Sequence, residues 1–147
     1  LGPNMIDGFS SVKLTEYAMK FYAVRGLTDD DFFNKKSKSH IPIITYPKNT
    51  STYSAARDTI LKRMGRMPRI FGNSSISTIE KMAVDGLGVA LVAEGCISAA
   101  GLEKLEVVGQ DIEISPLQFY AYFQSGVRGD IFELLADIAV QVATQKT

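Results

Sequence analysis

Residues 73–92 read NSSISTIEKMAVDGLGVALV, and the apolar and polar positions there change period within a short span. Ile76, Ile79 and Ala83 recur at helical spacing, which predicts an amphipathic helix. Ahead of them Ser74, Ser75 and Ser77 offer hydroxyl oxygens for an N-cap, and Ser77 with Glu80 has the spacing of a capping box. Gly86 supplies the positive-φ residue that ends such a helix. Gly88 then lets the turn enter the apolar run Val89, Ala90, Leu91 and Val92, the pattern of a buried strand.

The rest of the chain repeats this alternation. Residues 1–8 are rich in turn formers, and the aromatic and β-branched residues of 17–24 predict a strand. The acids Asp29 to Asp31 and the basic Lys35, Lys36 and Lys38 predict a solvated face or short helix. Residues 41–46, IPIITY, beside Pro42 and Pro47, predict a short buried strand leading into a turn. The helix that follows carries Tyr53, Ala56, Ile60, Leu61 and Met64 on one face and stops at Gly65 and Pro68. Residues 69–72 predict a short strand, 94–101 a short helix or turn, 102–109 strand-like material, and the aromatic run 117–123 a core strand. Ile131, Leu134, Leu135, Ile138 and Val142 mark a C-terminal amphipathic helix. Strand and helix in alternation predict an α/β chain with a parallel or mixed sheet.

Composition narrows the functions open to such a chain. With 147 residues, 46% of them hydrophobic, it suffices for one sizeable core, or for one complete lobe and part of another. Sixteen basic residues balance sixteen acidic ones, which leaves no overall electrostatic footprint for a nucleic-acid backbone. Lys62, Arg63, Arg66 and Arg69 cluster where a helix ends and suit its dipole. One cysteine, Cys96, and one histidine, His40, exclude an intrachain disulfide and a Cys/His zinc cluster. His40 stands in no triad context, Cys96 reads as a packing residue, and the glycines of 86–88 precede a strand where a dinucleotide fingerprint follows one. No cofactor, metal or catalytic group is expected, nor a membrane span or secretory signal.

Two polar helix starts remain as candidate chemistry: residues 48–52, KNTST, and 73–75, NSS. Unpaired N–H groups and the helix dipole at such starts suit a carboxylate or other anion beside the hydroxyls. Simple capping is the competing reading of the same residues.

In order, the run IPIITYP, a helix ending in G-x-x-P-R-I-F, NSSISTIEKMAVDGLGVALVAEG and GLEKLEV resembles the effector-binding domain of LysR-type transcriptional regulators, over most of residues 41–107. The resemblance implies a periplasmic-binding-protein-like fold: a mixed-sheet lobe with part of a second lobe, joined by crossover strands. Residues 1–17 would be a remnant of lobe I with the hinge, 18–119 lobe II with its crossings, and 120–147 the return strand and C-terminal helix of lobe I. It further implies a cytoplasmic sensor of a small effector, for which the two helix starts suggest an anionic metabolite, a homo-oligomer when intact, which binds DNA through an N-terminal helix-turn-helix domain outside this sequence. Its effector contacts would be Asn49, Thr50 and Ser51 in one loop and Asn73, Ser74 and Ser75 in another, with Val92, Pro3 and Asn4 lining the cleft. Ala93 stands where the family often has proline, and residues 25–27 depart from its crossover wording. A solute-binding protein of a transport system is the alternative for the same architecture.

Overall fold

The computed structural model describes residues 8–35, 41–124 and 129–144. The chain forms two compact units, one from residues 18–116 and the other from the two flanking ends of the chain.

The larger unit is built on a five-stranded mixed sheet. Its strands are β2 (Met19–Val24), β3 (Ile43–Thr45), β4 (Ile70–Gly72), β5 (Val89–Ala93) and β6 (Leu105–Val108), laid side by side in the order β4-β3-β5-β2-β6. β3 runs parallel to both β4 and β5, whereas β2 is antiparallel to β5 and β6. A strand covered on both faces must be apolar at every position, and VALVA of β5 is buried throughout. Successive residues alternate faces. Ile44, Ala90 and Val92 pack with Ile79 and Ala83 of α3 (Ile76–Val84), while Ile43 and Val89 meet Ile60 of α2 (Ser51–Met64). The two helices therefore cover opposite faces. α1 (Asp29–Phe33) adds Phe33, whose ring lies 5.1 Å from that of Phe21.

Turns close these elements as the sequence predicts at two glycines. Gly65 adopts φ 68° and donates its N–H to the Leu61 carbonyl at 2.8 Å, ending α2. Gly88 is required for space: a Cβ there would lie 2.7 Å from the Pro42 carbonyl oxygen and 2.6 Å from Ile44 Cδ1. Downstream, α4 (Ala99–Lys104) extends into the segment expected to be strand-like, because Ser98 caps it by accepting the Gly101 N–H at 3.0 Å.

The smaller unit pairs β1 (Phe9–Tyr17) with β7 (Leu117–Gln124) in an antiparallel ladder, and α5 (Gly129–Thr144) packs against β1. Residues 17–24, expected as one strand, are divided at Ala18 between β1 and β2, which belong to different sheets. The aromatic strand β7 is half-buried rather than a core strand, since it pairs with β1 alone and α5 packs mainly on β1. In α5 Ala136 is buried, whereas Leu134, Leu135, Ile138 and Val142 are 47–61% exposed. Those four residues of the predicted apolar stripe face outward.

Candidate functional site

The parallel strands β3 and β4 end on the same side of the larger unit, and the segments after them carry six of the predicted residues. β3 leads through Tyr46 and Pro47 to Asn49, Thr50 and Ser51; β4 leads directly to Asn73, Ser74 and Ser75. Two observations bind the segments together. The Asn73 N–H donates to the Thr45 carbonyl at 2.8 Å. Gly72 sits so close to the first loop that a Cβ on it would meet Tyr46 O, Pro47 Cα and Lys48 N, each at 3.1 Å.

Each loop ends in a helix cap. The Thr50 hydroxyl accepts the Tyr53 N–H at 3.3 Å and donates to the Pro47 carbonyl at 2.7 Å. Ser75 caps α3 by accepting the Thr78 N–H at 3.3 Å, and its own N–H donates to Asn73 Oδ1 at 2.8 Å. The predicted Ser77–Glu80 box is not formed. Ser77 lies 3.0 Å from Ser75, oxygen to oxygen, and the Glu80 carboxylate accepts the Ser98 N–H at 2.8 Å and the Ser98 hydroxyl, joining α3 to the start of α4. Capping thus uses Thr50 and Ser75, while Asn49, Ser51 and Ser74 stay exposed. The N–H groups of Ser51, Thr52, Ile76 and Ser77 fall in first turns, where the helix itself offers no acceptor. Neither loop contains a carboxylate, and Lys48 of the first loop is exposed. Two helix dipoles, free first-turn donors and one ammonium make this end of the sheet suited to an anion. In open α/β sheets ligands bind outside the carboxyl ends of the strands, where successive helices depart to opposite faces.

Tyr46 belongs to this end too. Its hydroxyl accepts the Ala93 N–H at 3.2 Å, tying the end of β3 to that of β5, and burial pushes its pKa above the usual tyrosine value. Beneath it, fully buried Thr45 donates to the Leu91 carbonyl at 2.7 Å. The sequence pattern did not single out either residue; the available signal was a hydroxyl-bearing pair at the end of a buried apolar strand, immediately before Pro47. Val92, expected to line the cleft, is 0% exposed in the core beneath α3, because strand alternation places it with Ala90 on that face. Pro3, Asn4 and His40 lie outside the described residues. Cys96 is half-buried against the core cluster and is not in a disulfide. Among the described residues no group of His, Cys, Asp and Glu side chains is arranged to hold a metal, and no helix is long and apolar enough to cross a membrane.

No protein-family model matches the sequence, and no curated protein matches it. Solved structures do. The apo-form regulatory domain of HypT from Salmonella typhimurium superposes with a TM-score of 0.71 at 19% identity, over 96% of this chain and 68% of that one. A cysteine mutant of the OxyR2 regulatory domain from Vibrio vulnificus gives 0.65 at 19% identity, over 95% of this chain and 68% of that one. The fold is that of LysR-type regulatory domains. A cysteine mutant of Corynebacterium glutamicum OxyR gives 0.64 at 18% identity, and there the chain spans 98% of itself but 46% of its neighbour. At these identities the likeness is one of fold, periplasmic-binding-protein-like with a mixed sheet.

Proposed function

We propose that this chain is the effector-sensing part of a bacterial LysR-type transcriptional regulator, and that its larger unit is lobe II of the effector-binding domain. The observation that carries the reading is the convergence of two capped helix starts at the carboxyl ends of β3 and β4, held together at Gly72. The fold of the HypT and OxyR2 regulatory domains supports it. These neighbours favour sensing over the solute-transport alternative. A bromide-bound HypT domain and a sulfate-bound OxyR2 domain are among them, which supports a small anionic metabolite as the first class of effector to try. The ligand is bound reversibly and without turnover by Asn49, Ser51 and Ser74 side chains and first-turn N–H groups. Pro3 and Asn4 would add contacts from the hinge. The smaller unit would be the remainder of lobe I, and the intact regulator a cytoplasmic homo-oligomer that binds DNA through a separate helix-turn-helix domain.

Isothermal titration of the purified chain against a panel of metabolite carboxylates, with product analysis, tests the proposal. Saturable binding without chemical change is expected, and turnover of a bound compound overturns it. Ser74→Ala should weaken binding without lowering the unfolding midpoint, because Ser74 is exposed and caps nothing. Thr50→Ala should cost about 1 kcal/mol of stability as well, the usual worth of an N-cap. In a mobility-shift salt titration, this charge-balanced chain should show no tight sequence-specific DNA binding.

A further inference from the structure

At the opposite end of the same sheet, a cavity of about 250 Å³ opens where β3 and β5 begin and α2 ends. Its floor is Ile43, Ile60 and Val89, all at most 5% exposed, and buried Phe33 forms part of a wall. Arg66 and Arg69 line it as well, and no acidic residue does among those described. Its apolar floor faces water when the hollow is empty, so an occupant that covers Ile43, Ile60 and Val89 gains the hydrophobic free energy of that surface. The arginines make it more than a packing fault. Arg69 is exposed, and among the described residues its side chain has no hydrogen-bonded or ionic partner.

We propose that this cavity is a second ligand site, distinct from the loops after β3 and β4, and that it takes a small aromatic monocarboxylate. An apolar body would cover Ile43, Ile60 and Val89, while the carboxylate meets a guanidinium fork at the mouth. Drug-sized ligands occupy pockets of roughly 300–1,000 Å³, so this smaller cavity selects compounds on the order of ten non-hydrogen atoms. Planar carboxylate recognition is what arginine, with its fixed donor geometry, does better than lysine.

Benzoate and 3-phenylpropionate are the probes, followed by methyl NMR of the isoleucines, valines and methionines in the whole chain. Saturable shifts at Ile43, Ile60, Val89 and Met64 are expected. Benzyl alcohol, which keeps the ring and loses the charge, should bind about tenfold more weakly or worse, as should benzoate to Arg69→Ala and to Arg66→Gln. Ser74→Ala should leave benzoate binding here unchanged, which separates this site from the one at the other end of the sheet. Absence of shifts at millimolar probe, shifts centred on Ile76 at the start of α3 and absent from Ile43, Ile60 and Val89, or equal affinity for benzyl alcohol and benzoate would each overturn the assignment. Both arginine variants are checked first by thermal melting; a folded variant with undiminished benzoate affinity also counts against it.

Discussion

Replacing Gly88 with alanine should be among the most damaging one-carbon changes in the larger unit, and the reason is distance, not backbone conformation. The added Cβ would stand 2.7 Å from the Pro42 carbonyl oxygen, where ordinary contacts begin at 3.4 Å, so roughly 0.7 Å must be found. Neither neighbour can yield easily. The Pro42 carbonyl is held by the Val89 N–H at 2.9 Å, and Ile44, whose Cδ1 would lie 2.6 Å away, is 0% exposed. Overpacking of this kind costs about 2–3 kcal/mol and loosens the β3–β5 pairing. Gly65 is the control. It has φ 68° with open space around the would-be Cβ, so Gly65→Ala should cost only the left-handed strain of about 1–2 kcal/mol. Gly65→Asn should recover part of it, while Gly88→Asn should recover nothing. Urea unfolding followed by tyrosine fluorescence, in a chain with six tyrosines and no tryptophan, measures both. If Gly88→Ala stays within about 0.5 kcal/mol of the parent, or Gly65→Ala proves the worse of the two, the packing argument is refuted.

Other changes read out neighbouring contacts. Thr45→Val keeps the shape but removes the buried donor to the Leu91 carbonyl, and should cost about 1–3 kcal/mol in the same urea assay, more than Thr45→Ser. Glu80→Gln should destabilise the α3–α4 junction by about 1 kcal/mol, since an amide has one acceptor for the two Ser98 donors; faster hydrogen exchange at Ser98 checks it. Asp31 accepts the Thr28 N–H at 2.7 Å, which holds its pKa below the ordinary aspartate value. Its contribution is therefore present above the ordinary aspartate range and lost as pH falls through the lowered folded value. The Thr28 amide resonance should move only at strongly acidic pH, and a shift near neutrality would contradict this.

Local signals carried most of the larger unit because several rules agreed there. Glycine stops at Gly65 and Gly86, the apolar runs of β3 and β5, and helical spacing in α2 and α3 all point the same way. Where two rules competed, the tertiary partner decided. Ser77 had the spacing of a capping box, but Ser75 was the residue with cap geometry and Ser98 claimed Glu80. Val92 was expected at the cleft from the resemblance alone, and strand alternation turns its side chain into the core. In α5 the helical spacing was legible, whereas which of its residues are buried depends on what packs against them. For the candidate site, the polar loop residues were legible as types, whereas their approach to one another rests on Gly72, whose role is visible only once Tyr46, Pro47 and Lys48 stand beside it.

The division of the chain has an evolutionary and practical corollary. The segment 18–116 leaves the smaller unit after Tyr17 and returns to it at Leu117, and those two residues are paired across the β1–β7 ladder. The larger unit is thus an insertion at one end of a hairpin, with its two ends emerging as neighbours. A unit of that kind can be excised, grafted or exchanged as a cassette without rethreading its host. Expressing 18–116 alone, with the hairpin of β1 and β7 closed by a short turn in a separate chain, should yield a folded sheet that keeps its own helices.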